Sequence, residues 1–459
     1  MKMEKEFLHR LHKRCGDLWW YTILLFVAQR FGDVINLFVG LWIVPKYVPQ
    51  DELGAVLPLA QFVSLVGLPL GIITIPFMKY LNVFAEAGAY GKVKSLLRDV
   101  FIWTGVLSAF ILVIAYFLLP LLFERVRVAS GSLGFLIVSV SILGAVSCVF
   151  QSAVQGMKEF SAIVWFNVLA APLRLILMLL FMPFRAISGY FVGQGASPGV
   201  TVLGSLWVLR KKLGRDVKAE PYLKSDGLAM LRYTLPIAAL TAVSVVTASV
   251  DSLIIRQRLS NFESAGYYVV TRFSDIASYL GTVFIVFLFP IVSSRIARSE
   301  NPRDILIKTL VGSMGSGMVI SVVLHFWGVH ILMLHEVWSS YVSLAPYLFW
   351  LCVLNVFLMG NTAFSTYECA RGRFRFLWYL LPIVIAKSGG LYLLTGYANF
   401  DGMLPGSWMS FLVEFNPNRL IFIITGFLFF QMLLFVLFFL DVFGGKNISN
   451  GAVCKMVEG

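Results

Sequence analysis

The chain has 459 residues, 59% of them apolar, with a mean hydropathy of +0.83 and a formal net charge of +13. Soluble domains carry roughly 45–50% apolar residues, so a soluble enzyme or binding module is excluded. The positive charge follows from membrane orientation and contact with anionic lipid headgroups, and it calls for no nucleic-acid partner.

Taken in chain order, a basic N-terminus at 1–19 precedes an N-terminal set of six spans within 20–209, predicted at 20–45, 53–78, 100–122, 133–155, 163–183 and 187–209. A basic linker at 210–232 leads to six more within 233–440, predicted at 233–256, 265–293, 309–333, 342–366, 376–396 and 419–440, and a tail follows at 441–459. Runs such as Phe101–Phe123 and Leu420–Leu440 carry no charge, and about 20 such residues cross ~30 Å of hydrocarbon as a helix. The sixth span is unusual, since Gly189–Gly199 is rich in glycine and polar groups. The basic clusters Lys2–Arg14, Lys79–Arg98, Arg210–Arg232, Arg295–Lys308 and Arg371–Arg375 all fall on one side of this topology. The positive-inside rule therefore places both termini in the cytoplasm. The first apolar stretch lacks an Ala-x-Ala-like cleavage site and reads as a retained span.

Cys15, Cys369 and Cys454 fall at the cytoplasmic side and Cys148 and Cys352 within spans, which predicts no disulfide framework. No metal-ligand spacing occurs, and His325, His330 and His335 read as interfacial structural residues. No Gly-x-x-x-x-Gly-Lys-Ser/Thr loop is present, so ATP hydrolysis is not expected, and the chain is read as a non-enzyme.

The two sets of spans share a register. Arg174/Lys387 and Trp165/Trp378 are each 213 apart, Lys46/Arg258 and Gly54/Gly266 are 212 apart, and Pro76/Pro290 are 214 apart. Two sets of six spans imply a parallel repeat about an axis along the membrane normal. Leaving aside Arg256 and Arg419 at span termini, seven acidic or basic side chains (Asp, Glu, Lys or Arg) lie within spans: Arg30, Asp33, Arg174, Asp251, Arg272, Asp275 and Lys387. At ~3 kcal/mol each, lipid exposure of all seven would cost about 20 kcal/mol, so they face protein or water. Arg30/Asp33 and Arg272/Asp275 are i,i+3 pairs that share a helix face. Arg174 and Lys387 have no acid within a turn, so each either contacts a ligand or pairs with a carboxylate on another helix, such as Asp251.

Several local patterns resemble a known family. The short outer loop ending in Asp51-Glu52-Leu53-Gly54, the basic cytoplasmic loop Phe84–Arg98, Leu235-Pro236, Asp251-Ser252-Leu253-Ile254-Ile255, Ala265-Gly266-Tyr267-Tyr268 and Phe289-Pro290 are similar to those of the polysaccharide and O-antigen flippases, within the multidrug/oligosaccharidyl-lipid/polysaccharide exporter superfamily. The resemblance implies two six-helix bundles around a central cavity in a bacterial inner membrane, translocating a polyprenyl-diphosphate-linked oligosaccharide by alternating access. It implies lipid-linked glycan, membrane lipid and polysaccharide-assembly proteins as partners. On that reading Arg30, Arg174, Arg272 and Lys387 bind the diphosphate head, while Gln61, Gln151, Asn167 and Asn355 face sugar or tie helices together. Asp33, Asp251 and Asp275 pair charges or carry a coupling H⁺ or Na⁺, with no other cofactor. A multidrug efflux antiporter of the same superfamily is the alternative; a glycan polymerase or ligase would need a larger acid- and histidine-bearing outer loop than 396–418 supplies.

Overall fold

The computed structural model describes residues 24–127, 131–213, 220, 224–297, 300–396 and 419–444. The basic N-terminus, the outer loop 397–418 and the tail beyond 444 lie outside them, as do 214–219 and 221–223 of the linker. The fold is all-α, and ten helices among the described residues are long and apolar enough to cross a membrane.

The first is α1, Leu24–Tyr47, which takes a π-helical turn at Val39–Ile43. Next come α2, Gln50–Gly71, with Asp51 and Glu52 in its first turn, where carboxylates suit the positive end of the helix dipole, and α3, Thr74–Glu86. The second expected span is thus two helices joined at Ile72-Ile73. Gly88, with φ of 68°, turns the chain into α4, Tyr90–Val126. Helix α5 covers Gly131–Gly156.

Helix α6, Phe160–Leu213, contains a sharp break at Arg185 (φ −143°, ψ 35°) and Ala186 (φ 22°, ψ −109°), just beyond Pro183. It is therefore two spans folded back on each other, and the glycines of the second arm explain how. A Cβ on Gly189 would lie 2.5 Å from the Met182 backbone nitrogen, on Gly193 2.2 Å from the Met178 side chain, and on Gly204 2.2 Å from Phe166. The contacts descend in antiparallel register from the break. Small residues here let two backbones approach closely, as they do between membrane helices generally.

The second half begins with α7, Lys224–Arg258, and α8, Asn261–Val286, which opens on a capping box of Ser260 and Glu263. It continues through α9, Leu288–Ala297; α10, Arg303–Met333; the short α11, Glu336–Ser339; α12, Ala345–Ala370; α13, Leu377–Gly396; and α14, Arg419–Phe439. Each of the twelve expected spans has a helical counterpart once α6 is taken as two and the shorter apolar α13 is included.

The chain packs as two compact units, 1–249 and 250–459. Phe77, Leu81, Val93, Phe150, Ile163 and Leu209 form much of one core in the first unit, drawn from α3, α4, α5 and both arms of α6. In the second unit α8, α10 and α12 meet at glycine. A Cβ on Gly281 would lie 2.0 Å from Met359 Sδ and 2.9 Å from the Ser313 carbonyl, and one on Gly317 2.8 Å from Val356. Asn361 of α12 donates to Gln431 of α14, at 2.7 Å to Oε1 and 3.1 Å to the carbonyl. Large apolar side chains including Trp103, Phe117, Trp165, Phe184 and Trp378 point outward. In water such a surface would be a liability; in a bilayer it is the solvent-facing side.

Candidate functional site

The intramembrane charges fall into two groups, one in each unit. In the first unit, α1 presents Ala28, Gln29, Gly32, Asp33 and Asn36 on one face, at steps of one, three, one and three. The first arm of α6 presents Asn167, Ala170, Ala171 and Arg174 at steps of three, one and three, as helical periodicity requires. With Ser197 from the second arm, these residues line a cavity of about 150 Å³, room for several water molecules. The α6 hairpin register brings Ser197 to the level of Arg174, and alanine and glycine keep the walls small enough for the space to exist.

Arg30 and Asp33 pair at 3.0 Å, with the Arg30 guanidinium 5.3 Å from the centroid of the Phe26 ring. Asp33 therefore lies in a polar cavity with its charge already compensated. The side-chain oxygen of Asn36 is buried and accepts no hydrogen bond in this structure, leaving an acceptor for water, a proton donor or a cation.

In the second unit Arg272 and Asp275 of α8 pair at 2.9 Å, with the guanidinium 5.3 Å from the Tyr268 ring. Lys387 of α13 donates to Asp251 of α7 at 2.5 Å and lies 4.9 Å from the Phe427 ring. Its side chain is 3% exposed and that of Asp251 21%. The carboxylate pairing that the sequence left open for Lys387 is the geometry found. Tyr267 lies within electrostatic reach of Asp251, Asp275 and Arg272, and its hydroxyl interacts with Thr271.

Of the four polar residues expected to face sugar or tie helices, Asn167 lines the first-unit cavity. Asn355 instead donates to the carbonyl and hydroxyl of Ser274, each at 3.1 Å, and so ties α12 to α8. Gln61 contributes its backbone carbonyl to Ser249 at 3.4 Å. His325 packs on Phe326 and Phe349, and His335 caps α11 through Nδ1. Among the described residues no three His, Cys, Asp or Glu side chains gather to hold a metal.

The sequence reading passed over several residues. Gln29, Asn36 and Ser197 line the cavity; Asn36 stands three after Asp33 and was findable on spacing alone. Arg256, 1% exposed, donates to Asn261 and Ser264 and closes the α7–α8 turn. A longer signal was also present. Phe26-Val27-Ala28-Gln29-Arg30-Phe31-Gly32-Asp33 and Tyr268-Val269-Val270-Thr271-Arg272-Phe273-Ser274-Asp275 are one pattern, with an aromatic four residues before each Arg and an Asp three after. Their separation of 242 differs from the 212–214 of the wider register, so these clasps are not equivalent positions of the two halves.

No family model and no curated protein matches this chain. Solved structures do. An inward-facing multidrug resistance MATE family transporter of the MOP superfamily superposes with a TM-score of 0.65 at 14% identity, covering 91% of this chain and 96% of that one. A mutant of the Vibrio cholerae MATE transporter VcmN gives 0.64 at 15% identity, covering 96% and 98%. An outward-facing MATE transporter gives 0.58 at 15% identity, covering 93% and 95%.

These matches overturn the assignment to the polysaccharide and O-antigen flippases, and with it the lipid-linked glycan cargo and the polysaccharide-assembly partners. The physical reason lies in what carried the resemblance. Leu235-Pro236 lies inside α7, Ala265-Gly266 in the first turns of α8 and Phe289-Pro290 at the start of α9, helix features that a fold imposes whatever it carries. The cation array proposed for a diphosphate is also largely neutralised: Arg30, Arg272 and Lys387 each hold a carboxylate. The protein is a multi-pass membrane protein whose fold is that of MATE transporters.

Proposed function

We propose that the protein is a cation-coupled exporter of small molecules in a bacterial inner membrane, a multidrug-type antiporter. The observation that carries the reading is the superposition on MATE transporters over 91–96% of the chain, joined to a cavity lined by Asp33, the partner of Arg30, within a candidate span. In this reading six spans within 20–209 and six within 233–440 form two related bundles, joined by the cytoplasmic linker 210–232. The basic segment 1–19 and the tail 441–459 lie on the cytoplasmic side.

Asp33 is the coupling group. A carboxylate in a small polar cavity can exchange its Arg30 counter-charge for a proton or Na⁺, and the ion pair re-forms when the cation leaves. Arg174 and Asn167, across the cavity wall, hold water or polar substrate atoms. Asp275 and Arg272 form a clasp of the same local pattern in the second unit, at a position that is not equivalent in the repeat.

The test is transport by the purified protein in proteoliposomes, with an imposed H⁺ or Na⁺ gradient and ethidium as the reporter. Gradient-driven ethidium movement that Asp33→Asn abolishes is the expected result. Gradient-independent movement, or full activity in the variant, would sink the coupling role.

A further inference from the structure

The Lys387–Asp251 pair has features that the export reading does not use. The Lys387 side chain is almost completely enclosed and that of Asp251 largely so, at 3% and 21% exposed. Nζ engages Oδ2 at 2.5 Å, whereas Oδ1 is buried and has no hydrogen-bond partner. The Phe427 ring lies 4.9 Å from Nζ, and Arg272 and Asp275, the other charged groups around Tyr267, pair with each other. A carboxylate at this depth needs a positive partner, because an uncompensated buried charge is strongly destabilising. The lysine is the group that supplies it. It comes from α13, 136 residues away in the chain, on a flexible four-carbon stem whose head is a compact monovalent cation.

We propose that Lys387 is a tethered counter-ion: its ammonium fills, from within the chain, a position beside Asp251 that a Na⁺ ion from solution would otherwise take. The second unit thereby carries its cation permanently. Removal of the lysine head group uncovers a Na⁺ site formed by both carboxylate oxygens, in the space the ammonium vacates. Arginine at 387 keeps the charge in place and uncovers nothing.

The experiment compares thermal unfolding of the purified full-length protein in lipid nanodiscs in NaCl and in N-methyl-D-glucamine chloride at equal ionic strength. Lys387→Met gains a Na⁺-specific rise in Tm, growing with the logarithm of Na⁺ concentration as binding to the folded state requires, beyond any response of the unaltered protein. Adding Asp251→Asn removes the gain, and Lys387→Arg shows none. Equal Na⁺ responses in the unaltered protein and Lys387→Met overturn the proposal, as does a gain that survives Asp251→Asn. Should Lys387→Met fail to fold in N-methyl-D-glucamine, recovery in Na⁺ together with recovery by Asp251→Asn supports it, and failure of either to restore folding refutes it.

Discussion

Arg30 and Arg272, 242 positions apart, make the same two contacts: each guanidinium lies 5.3 Å from the ring four residues before it and within 3.0 Å of the carboxylate three residues after it. The helix pitch puts i−4, i and i+3 on one face, so both clasps can form before any neighbouring helix packs. A pre-formed clasp lowers the cost of inserting the charges, and it keeps each arginine from seeking lipid headgroups.

Breaking one clasp on one side should be costly and breaking it on both sides cheap. Arg272→Met leaves Asp275 uncompensated and should destabilise the protein by about 3 kcal/mol, while Arg272→Met with Asp275→Leu should recover most of the loss. Chemical unfolding in mixed micelles measures both, and additive losses would contradict the pairing.

In the first unit, Asp33→Asn should retain expression and insertion but lose gradient-driven transport, because the amide cannot exchange a proton or cation. Asn36→Ala and Asn167→Ala, which remove cavity-lining amides, should weaken transport without abolishing it. Initial rates in proteoliposomes distinguish the two classes.

Asn361→Leu removes both donations to Gln431 and leaves that amide facing an apolar side chain. Hydrogen bonds between membrane helices are modest, so the expected loss is about 1 kcal/mol. A lowered unfolding midpoint that Gln431→Leu partly offsets would confirm the α12–α14 tie.

Two glycines in the second unit should behave oppositely. Gly281→Ala drives a methyl to 2.0 Å from Met359 and 2.9 Å from the Ser313 carbonyl, an overpacking cost of about 1–3 kcal/mol. Met359→Ala should relieve only the first clash. At Gly315 nothing lies within 4 Å, so Gly315→Ala should stabilise α10 by up to ~1 kcal/mol through helix propensity. Thermal unfolding of the single and double variants reads both signs.

The glycine-rich stretch Gly189–Gly199 shows where reading the sequence stopped. Its hydropathy predicts a sixth span, and its glycines set it apart from the others. What it packs against, the preceding arm of the same helix, depended on the break at Arg185-Ala186. Proline at 183 hinted at that break, but several other prolines, among them Pro58 and Pro69, lie inside continuous helix. The family assignment failed for a related reason, because prolines and glycines that shape helices report the fold and are silent about which of its branches a chain joins.

By itself the sequence determined the membrane class, the all-helical architecture and the two i,i+3 pairs. Hydropathy and helix pitch are local quantities, readable over twenty residues or fewer. Only the tertiary structure decided that Lys387 reaches Asp251, that Ser197 stands level with Arg174, and that Asp33 and Asn167 share a cavity. Those relations depend on which faces of distant helices meet, and that is set by how closely small residues let backbones approach.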